Sequence, residues 1–446
     1  MINIDELRSY SNIKIIGHRH ADFDSMVSGY FLENIFLNLG IKAQFVLQDN
    51  EEDIFFKEKF IGRKRTWRKR DDDVLFLVDH TAEYDLPVVG CFDHHPQIAH
   101  IEKNYINEPK TSCAKVIYDW AKSIGYTVPN GYEVLTVYAC YMDSLSFKST
   151  KARKEDLAWC KEMMKKHNMD EQEVKTFGYG LTPKSENYTK YLTTGLKTYP
   201  LDNKVIISSY IVVDKDEEDI PRIVSSLRPK MTKSTLAWCF IMSNVIAERT
   251  TTVLITKDYY LVQKTNRLLS RGNNIIPAVM TFFYAKNDGT VTRRLIENLW
   301  EVATMESCTS GLIASNITDY EGASAILKGS YITYSNETKI MAGVDSTIIN
   351  LYGVYSPETA AAMATTARNK FNAHIGIGIT GSFGNIDPNN TDSIAGVIYY
   401  NIIFHGTEQP IQLVYNTNLP RKEMKQKTVD IVLATLESTL PPCLEK

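Results

Sequence analysis

Short apolar runs that end in aspartate or histidine constrain the fold of this chain more than any other feature. Three runs, rich in β-branched or aromatic side chains, are Lys14–Gly17, Val74–Val78 and Val88–Phe92. Such runs are typical of buried strands in a parallel sheet, and ligands of an open α/β sheet gather at the carboxyl ends of its strands. We therefore expect seven metal-capable side chains to converge: His18, Asp22, Asp24, Asp79, His94, His95 and Asp143.

The residue types indicate what such a cluster could do. Carboxylates and neutral imidazoles bind Mn²⁺, Fe²⁺, Zn²⁺ or Mg²⁺, and a carboxylate shared by two ions about 3.5–4 Å apart can activate water and neutralise a phosphoryl group. Asp79 is the candidate bridge. Any one of these residues alone is more often a capping aspartate or a hydrogen-bonded loop histidine. Seven such residues, all at the ends of short apolar runs, favour a two-metal hydrolytic centre.

Four segments resemble the motifs of the DHH phosphoesterase superfamily: Gly17–Ser25, Val78–Glu83, Phe92–His95 and Met142–Ser149. The last most resembles the branch that contains family II inorganic pyrophosphatases and prune-like phosphoesterases. The resemblance implies two divalent ions, with Mn²⁺ the first expectation and Mg²⁺, Fe or Co as alternatives. It implies that one ion is held by His18, Asp22 and Asp79, and the second by Asp24, Asp79, His94 and Asp143, with His95 as a donor or proton source beside the phosphate.

Cationic residues narrow the substrate, because a small tetra-anion such as pyrophosphate needs several positive charges around it. Pyrophosphatases supply them through a Ser-Arg-Lys-Lys-Gln motif. Ser270–Asn274 keeps Arg271, the expected substrate contact, and lacks both lysines. The chain also lacks the Gly-Gly-Gly-His signature of oligonucleotide-degrading relatives, so neither free pyrophosphate nor short RNA is the expected substrate. The basic run Arg63–Arg70 precedes Asp71–Asp73 and is expected to be a solvated loop.

A second group of motifs lies in the last third of the chain. Together they resemble the CinA carboxy-terminal domain, the family of nicotinamide mononucleotide (NMN) amidohydrolases. They are Met305–Gly311, Gly322–Ser324, Tyr331–Lys339, Gly353–Ser356 and Ile379–Gly381.

A serine that attacks a carboxamide needs a base, and no histidine lies in this block before His374. A lysine can be that base when its surroundings lower its pKa. The resemblance implies a catalytic centre of Ser324, Tyr334 and Lys339, with Lys339 after a predicted strand at Ser330–Tyr334. A rival nucleophile is Cys308, whose thiol precedes a predicted helix, although most such cysteines are buried hydrophobes.

The predicted nucleotide pocket is formed by loops. A turn that leads into a helix suits an anionic phosphate or a developing oxyanion. Where the family shows Gly-Gly and Thr-Gly-Ile-Ala-Gly-Pro, this chain has Ser310–Gly311 and Thr380–Pro388, so reduced or lost activity here is a second hypothesis. The expected substrate-binding residues are Glu306, Ser307, Thr309, Gly311, Thr380 and Gly381.

Segment patterns predict a multi-domain α/β protein. We expect a parallel-sheet DHH domain over 1–178, a connector over Gly178–Asn203, a small α/β accessory domain over 204–286 and an α/β CinA-like domain over 290–446, after a turn at Asn287–Gly289. With 446 residues, 43% of them hydrophobic, the chain can bury several cores. Other predicted elements are strands Val205–Val213, Thr252–Thr256, Gly376–Ile379 and Val397–Phe404, and helices Lys154–Lys166, Ile220–Leu227, Pro357 to about Phe371, and Arg421–Leu440.

Composition limits the cellular location and the binding partners that we expect for this protein. Seven cysteines without a CxxC pair do not indicate a disulfide framework, and no signal-like or membrane-length apolar run occurs. A pI near 6.3 indicates that the chain lacks the excess of positive charge expected of a protein that binds long nucleic acids. We expect a cytoplasmic protein, off the membrane, with a small nucleotide substrate and a homo-oligomeric state.

Two hypotheses for function follow. The first is a bifunctional hydrolase, a metal-dependent phosphoesterase or pyrophosphatase joined to an NMN deamidase, which could convert NAD to NMN and then to nicotinic acid mononucleotide. The alternative is a cyclic- or oligonucleotide phosphodiesterase, or one for 3′-phosphonucleotides, whose CinA-like domain is a non-catalytic nucleotide sensor. A purely structural scaffold is disfavoured, because core packing gives no reason for so many ionisable groups at strand ends.

Overall fold

The computed structural model describes most of the chain. Part of the basic run (63–64), half of the expected connector (180–191 and 194), and positions 287 and 388 lie outside the described residues. The described residues are 2–19, 21–48, 65–95, 100–179, 192–193, 195–213, 219–285, 288–384, 387, 390, 393–415 and 419–440.

A parallel five-stranded sheet forms the amino-terminal part, as the apolar runs predict. Its order is β2-β1-β3-β4-β5, and every neighbouring pair is parallel. Each predicted strand is confirmed to within one residue. The strands are β1 Ile13–Ile16, β2 Ala43–Val46, β3 Val74–Val78, β4 Val88–Asp93 and β5 Tyr105–Asn107.

Helices cover this sheet and position polar residues at its edge. Asp22 caps helix α2 by accepting the Ser25 N–H, so the helix begins at Phe23, directly beyond β1. Phe36 of this helix packs edge-on against Phe76 of β3 in one continuous core. The helices are α1 Ile4–Arg8, α2 Phe23–Asn38, α3 Cys113–Ser123, α4 Asn130–Asp143, α5 Lys154–Lys166 and α6 Glu171–Tyr179.

A second, mixed sheet of ten strands joins the two predicted later domains. Strand β10 (Tyr259–Thr265) of the accessory segment pairs antiparallel with β15 (Thr407–Tyr415) of the carboxy-terminal segment, with Tyr259 opposite Tyr415 and Gln263 opposite Ile411. Buried residues of both segments share one core. The sequence had suggested separate modules. In sheet order the strands are β12 Leu327–Ile332, β11 Val302–Glu306, β13 Ile375–Ser382, β14 Val397–Phe404, β15 Thr407–Tyr415, β10 Tyr259–Thr265, β9 Arg249–Ile255, β8 Thr235–Asn244, β7 Lys204–Val213 and β6 Lys197–Leu201.

Two sequence predictions need correction here. The expected connector contains strand β6, because Asp202 and Asn203 form a two-residue hairpin loop, with Asp202 at φ +51°, instead of extending the linker. The strand expected at Ser330–Tyr334 lies earlier, at Leu327–Ile332, so Tyr334 falls beyond its end. The polar, Gly- and Pro-containing composition of this segment predicts a linker, but composition alone does not distinguish a linker from a two-residue hairpin loop.

The helices beside the second sheet follow their predicted caps. Ser356 accepts the Thr359 N–H and Pro357 is the first helical residue, as expected. None of the described helices combines the length and apolarity needed to cross a bilayer. The helices are α7 Ile220–Leu227, α8 Ile276–Tyr284, α9 Thr290–Glu297, α10 Leu312–Thr318, α11 Asn336–Ala342, α12 Ser346–Tyr352, α13 Pro357–Lys370 and α14 Arg421–Thr439.

Helix α13 lies unusually close to β13, and Gly378 makes this possible. A Cβ at Gly378 would come 2.2 Å from the Ala360 carbonyl oxygen, which is backbone and cannot rotate away. We expect Gly378→Ala to lower the free energy of unfolding by about 2–3 kcal/mol, an overpacking cost, measured by denaturant unfolding. Gly384→Ala, with no neighbour within 4 Å, is the matched control. Equal stability of the two variants would refute this close packing.

Candidate functional site

The seven predicted side chains converge at the carboxyl edge of the parallel sheet, in two groups that share Asp79. One Asp79 oxygen, Oδ2, lies 3.5 Å from His18 Nε2, and the other, Oδ1, lies 3.3 Å from His94 Nε2. The ligand atoms of His18, Asp22 and Asp79 lie within 4.8 Å of one another, as do those of Asp24, His94 and Asp143. His94 Nε2 is 3.5 Å from Asp143 Oδ2. Asp79 is therefore placed as a bridge between two groups.

The donor set fits divalent ions. His18 Nδ1 and His94 Nδ1 lie 2.8 and 3.0 Å from the backbone carbonyls of Arg19 and Lys110. A carbonyl can only accept, so each Nδ1 carries the proton and each Nε2 offers a lone pair to the centre. Asp79 Oδ1 and His94 Nε2 are buried and have no hydrogen-bond partner among the described residues. Buried polar atoms rarely stay unpaired, and a metal ion would satisfy both.

Backbone strain accompanies Asp79. Its φ is +63°, a left-handed conformation that a non-glycine residue adopts at an energetic cost. Its N–H donates to the Phe92 carbonyl at 2.9 Å, which ties the turn after β3 to β4. This turn directs the side chain into the space between the two groups.

Electrostatics also point to a site for positive charge. Burial and Lys197 lower the pKa of His18, but the carboxylates of Asp22 and Asp79 outweigh them and raise it to about 9. Burial lowers the pKa of His94, yet Asp79 and Asp143 raise it to about 9. The carboxylates thus favour a cation at both Nε2 positions, which a bound metal ion would supply.

Asp24 combines two roles. Its Oδ2 and Oδ1 accept the backbone N–H groups of Cys113 and Ala114, at 2.7 and 3.0 Å, at the start of α3. Its Oδ2 also lies 3.7 Å from His94 Nε2. Burial, together with Asp79, raises the pKa of Asp24. The helix terminus therefore holds this carboxylate in place beside the second group.

His95 lies next to the second group and contacts a lysine that the sequence did not reveal. His95 Nδ1 is 3.0 Å from Asp93 Oδ1, and its Nε2 is 3.2 Å from Lys151 Nζ. Lys151 Nζ also donates to both Asp143 oxygens, at 2.7 and 2.6 Å. Three consecutive left-handed residues, Leu145–Phe147, turn the chain back toward the centre. None is glycine, so the sequence carried no signal for this turn.

The accessory segment covers the centre. Lys197 of β6 reaches it, with Nζ 3.1 Å from His18 Nε2 and 3.8 Å from Asp22 Oδ2. A Cβ built on Gly272 would lie 3.5 Å from the His95 ring. The adjacent Arg271 donates to the Gly195 carbonyl and lies 5.9 Å from the Tyr210 ring centroid. Arg271 is thus near the centre, and its contact with a substrate stays a prediction.

His80 lies beside the centre and has no signal in the sequence that marks it as part of the site. Its Nδ1 is 3.0 Å from the Val78 carbonyl and its Nε2 is 2.9 Å from Tyr84 Oη. Burial lowers its pKa to about 4. His80 is therefore a neutral, hydrogen-bonded residue that supports the turn at Asp79.

The candidate site in the carboxy-terminal segment is built around Lys339, in α11. This side chain is only 1% exposed, and its Nζ donates to Ser307 Oγ at 3.1 Å and to the Thr333 carbonyl at 2.9 Å. Burial lowers its pKa to about 8, even though Cys308 and Asp387 act to raise it. A lysine with such a pKa is partly neutral near physiological pH and can act as a base.

Neither of the other two residues of the expected centre has a hydrogen bond to Lys339 among the described residues. Ser324 is exposed on the short 3₁₀ helix Ala323–Ala325 and makes no hydrogen bond to Tyr334 or Lys339 in the part of the chain that the structure describes. The Tyr334 hydroxyl accepts from Arg421 Nη2 at 3.0 Å. The structure therefore brings Lys339 to Ser307, and the role of Ser324 stays a prediction.

The residues before α10 form the expected turn into a helix, and binding of an anion there stays a prediction. Ser310 and Gly311 have φ of +52° and +87°, a left-handed conformation that glycine adopts without steric cost. Fully buried Glu306 accepts the N–H groups of Ile313 and Ala314, at 3.1 and 2.9 Å. Its carboxylate therefore holds the start of α10, while its contact with a ligand stays a prediction.

Hydroxyl groups near this loop differ in their availability. The buried hydroxyls of Thr309 and Thr333 have no hydrogen-bond partner among the described residues and could bind a ligand. Thr380 instead donates to the Val354 carbonyl at 3.0 Å, next to Gly381 at φ +151°. Burial raises the pKa of the Cys308 thiol to about 12, which disfavours a thiolate nucleophile.

Arg421 was not anticipated from the sequence. It begins α14, and its guanidinium carbon lies 5.5 Å from the Phe383 ring centroid in addition to the contact with Tyr334. Within a charged terminal helix, one arginine gave no signal of its own. Its position makes it a candidate for binding an anionic ligand.

Comparisons with known proteins cover the chain in parts. A competence-damage inducible protein of Halothermothrix orenii is 51% identical over 84 residues, 19% of this chain and 20% of that protein. One of Acetivibrio thermocellus is 28% identical over 235 residues, 51% of this chain and 55% of that protein. The matches thus span between about a fifth and about half of these curated relatives.

Among solved structures, a family II inorganic pyrophosphatase of Methanococcus jannaschii is similar to 55% of this chain, over 87% of its own length, with 17% identity and a TM-score of 0.42. Residues 285–440 match the family model described as the CinA C-terminal domain. The resemblance of the carboxy-terminal motifs to that domain is thereby confirmed, and this third of the chain carries a region of the CinA C-terminal domain family.

Proposed function

We propose that the chain is a bifunctional hydrolase, with a metal-dependent phosphoesterase centre and an NMN deamidase centre. The observation that carries the first activity is the shared Asp79 carboxylate, with one oxygen directed to each ligand group. The substrate class is a nucleotide or a phosphoanhydride. The second activity is supported by the buried lysine of the CinA-like region.

At the first centre, His18, Asp22 and Asp79 would hold one divalent ion. When bound, the ions supply an activated water and neutralise the phosphoryl oxygens. The second ion would be held by Asp24, Asp79, His94 and Asp143. We propose that both ions are Mn²⁺.

Residues around the metal ligands would act on the substrate. Burial and the charges of His94 and Lys151 lower the pKa of His95. Its Nδ1 donates to Asp93 Oδ1 and its Nε2 accepts from Lys151, so the ring would donate to a phosphoryl oxygen only after Nε2 has taken up a proton, the proton-source role that the resemblance implies. Lys197 brings a positive charge from the accessory segment. Arg271 begins the π-helical turn Arg271–Ile275, whose Gly272 lies beside the His95 ring, and it would bind a second phosphate or a ribose.

At the second centre, neutral Lys339 would accept a proton from a serine hydroxyl as its oxygen attacks the carboxamide carbon. The protonated lysine would return the proton to the leaving nitrogen, so ammonia departs and an acyl-serine forms. Water then hydrolyses this ester and yields the carboxylic acid. Ser324 is the nucleophile that the resemblance implies, and Ser307 is the serine that contacts Lys339.

The two activities would form a sequence. Cleavage of the NAD pyrophosphate releases AMP and NMN, and deamidation converts NMN to nicotinic acid mononucleotide and ammonia. A different function is favoured by one observation, the exposure of Ser324, which has no hydrogen bond to Lys339 among the described residues. In that alternative the CinA-like region binds a nucleotide without turning it over, and the first centre acts on cyclic or linear oligonucleotides.

Mass spectrometry of reaction products tests the proposal. The protein is incubated with NAD or with NMN, in Mn²⁺ or in chelator. We expect AMP from NAD only with Mn²⁺, and nicotinic acid mononucleotide from NMN under both conditions. Untouched NMN would refute the deamidase, and a second assay with cyclic and linear oligonucleotides would then test the sensor alternative. Untouched NAD would refute the linked sequence.

A further inference from the structure

The turn beside the metal centre combines two helical hydrogen-bond patterns. This turn, Arg271–Ile275, is π-helical and leads directly into α8. The Ser270 carbonyl accepts from the N–H groups of both Asn274 and Ile275, at 3.1 and 3.2 Å. The first is the bond of an α-helix and the second is the bond of a π-helix, a form that occurs often at functional sites. Because one acceptor serves both patterns, the turn can shift between them with little loss of hydrogen bonding.

On one side, the turn touches the metal centre. A Cβ on Gly272 would lie 3.5 Å from the His95 ring. Asn274 Oδ1 accepts from Thr150 Oγ1 at 2.6 Å, which ties the turn to the segment that follows Asp143. A shift of the turn would therefore change the surface that faces His95.

On the other side, the turn is connected to the CinA-like site by two packed helices. Helices α8 and α14 pack against each other, and Val279 of α8 is buried in the same core as Val432 of α14. Arg421, the first residue of α14, donates to the Tyr334 hydroxyl and lies against the Phe383 ring. An anionic ligand bound by Arg421 would fix this end of α14. A continuous packed path thus joins the two sites.

We propose that nucleotide binding at the CinA-like region and phosphate binding at the metal centre favour each other through α14, α8 and the turn Arg271–Ile275. The inference rests on the proposed nucleotide site and metal centre, and it holds whether or not the nucleotide is turned over. Either ligand orders the shared path, so less ordering is left for the second ligand. Such coupling typically changes an affinity about 5- to 150-fold, by the same factor for both ligands.

Isothermal titration calorimetry tests the coupling with nicotinic acid mononucleotide as the probe, because this compound has no amide to hydrolyse. One titration contains inorganic phosphate and chelator, and the other contains inorganic phosphate and Mn²⁺, so only occupancy of the metal centre differs. We expect one nucleotide bound per chain in both titrations, with a dissociation constant at least about fivefold lower in Mn²⁺. Titration of phosphate into the Mn²⁺-loaded protein, with and without the nucleotide, should show the same factor.

Two valine-to-alanine variants separate the proposed path from a general loss of packing. Val279→Ala removes packing from the core that α8 and α14 share and should reduce the coupling to less than about twofold. Val262→Ala removes the same atoms from a separate core, in which no described residue of α14 takes part, and should keep the full coupling. Thermal unfolding verifies that both variants are folded.

The outcomes separate the coupling from the sites on which it depends. Equal nucleotide affinity in the two titrations would overturn the coupling and leave both sites intact. Full coupling in Val279→Ala, or its loss in Val262→Ala as well, would overturn the path through α8 and α14. Absence of nucleotide binding in chelator would overturn the nucleotide site, and absence of phosphate binding in Mn²⁺ would overturn the metal centre. The inference falls with either site.

Discussion

Replacement of Asp79 by asparagine should reduce metal-dependent hydrolysis at the first centre by about a thousandfold or more. The carboxylate faces both His18 and His94 through different oxygens. An amide nitrogen cannot ligate a cation, so one of the two ion sites loses its shared oxygen and the centre loses a negative charge. Loss of an outer-shell partner alone costs about 10–100-fold, and loss of a shared ligand should cost more.

The measurement is the rate of AMP release from NAD in Mn²⁺, together with the number of ions bound. Asp119→Asn is the matched control, because Asp119 belongs to the same domain, pairs with the side chains of Lys115 and Lys110, and is not one of the grouped ligand candidates. We expect the control to keep both ions and full activity. Retention of NAD cleavage by Asp79→Asn would show that the shared carboxylate is not a metal ligand.

The metal centre could be predicted from the sequence because each of its parts is local. A four- or five-residue apolar run defines a strand, and parallel pairing alone then brings the ends of β1, β3 and β4 to one edge. Asp22 is fixed by a helix cap, which is also a short-range signal. No side-chain packing had to be known for these residues to converge.

What could not be predicted depends on contacts between distant segments. Lys197 reaches His18 across 179 residues, and only because a tight hairpin forms in what looked like a linker. Lys151 depends on three left-handed residues without glycine. Pairing of β10 with β15 joins two segments that each show a complete α/β pattern, so neither pattern signals a missing edge strand.

The carboxy-terminal site shows a different limit. Motif spacing identified Ser324, Tyr334 and Lys339 as a group, yet the only one of them that is deeply buried is Lys339, at 1% exposed. Spacing cannot tell which of two serines faces the lysine, because that depends on how β11 and β12 lie beside each other. The structure gives this contact to Ser307.

Ser307→Ala and Ser324→Ala separate these two serines as nucleophiles. Loss of all acyl-serine formation from NMN in only one variant identifies the attacking residue. A role limited to holding Lys339 predicts for Ser307→Ala a changed pH dependence with residual ammonia release. Loss in neither variant would leave the deamidation mechanism without support and favour the sensor alternative.

Replacement of Lys339 by methionine should abolish deamidation of NMN, with a loss of about a thousandfold, since a general base contributes about 10²–10⁴-fold. The fold should persist, because an apolar side chain of similar length in a buried site removes the cost of burying a charge. Lys328→Met is the matched control, since Lys328 forms a partly exposed pair with Glu301, the residue just before the neighbouring strand β11. The measurement is ammonia release, with thermal unfolding to verify the fold.

The pH dependence of the wild type provides an independent test of the same residue. A base acts only when unprotonated, and burial lowers the pKa of Lys339 from its ordinary value to about 8. The rate should therefore fall about tenfold for each pH unit well below 8, rise through pH 8 and level off above it. Below its pKa only a small fraction of Lys339 is unprotonated, and this fraction falls about tenfold per pH unit. The slope of the rate against pH therefore reports the protonation of Lys339. A rate that is flat from pH 6 to 9, or one that falls as the pH rises, would exclude Lys339 as the base even if the methionine variant were inactive.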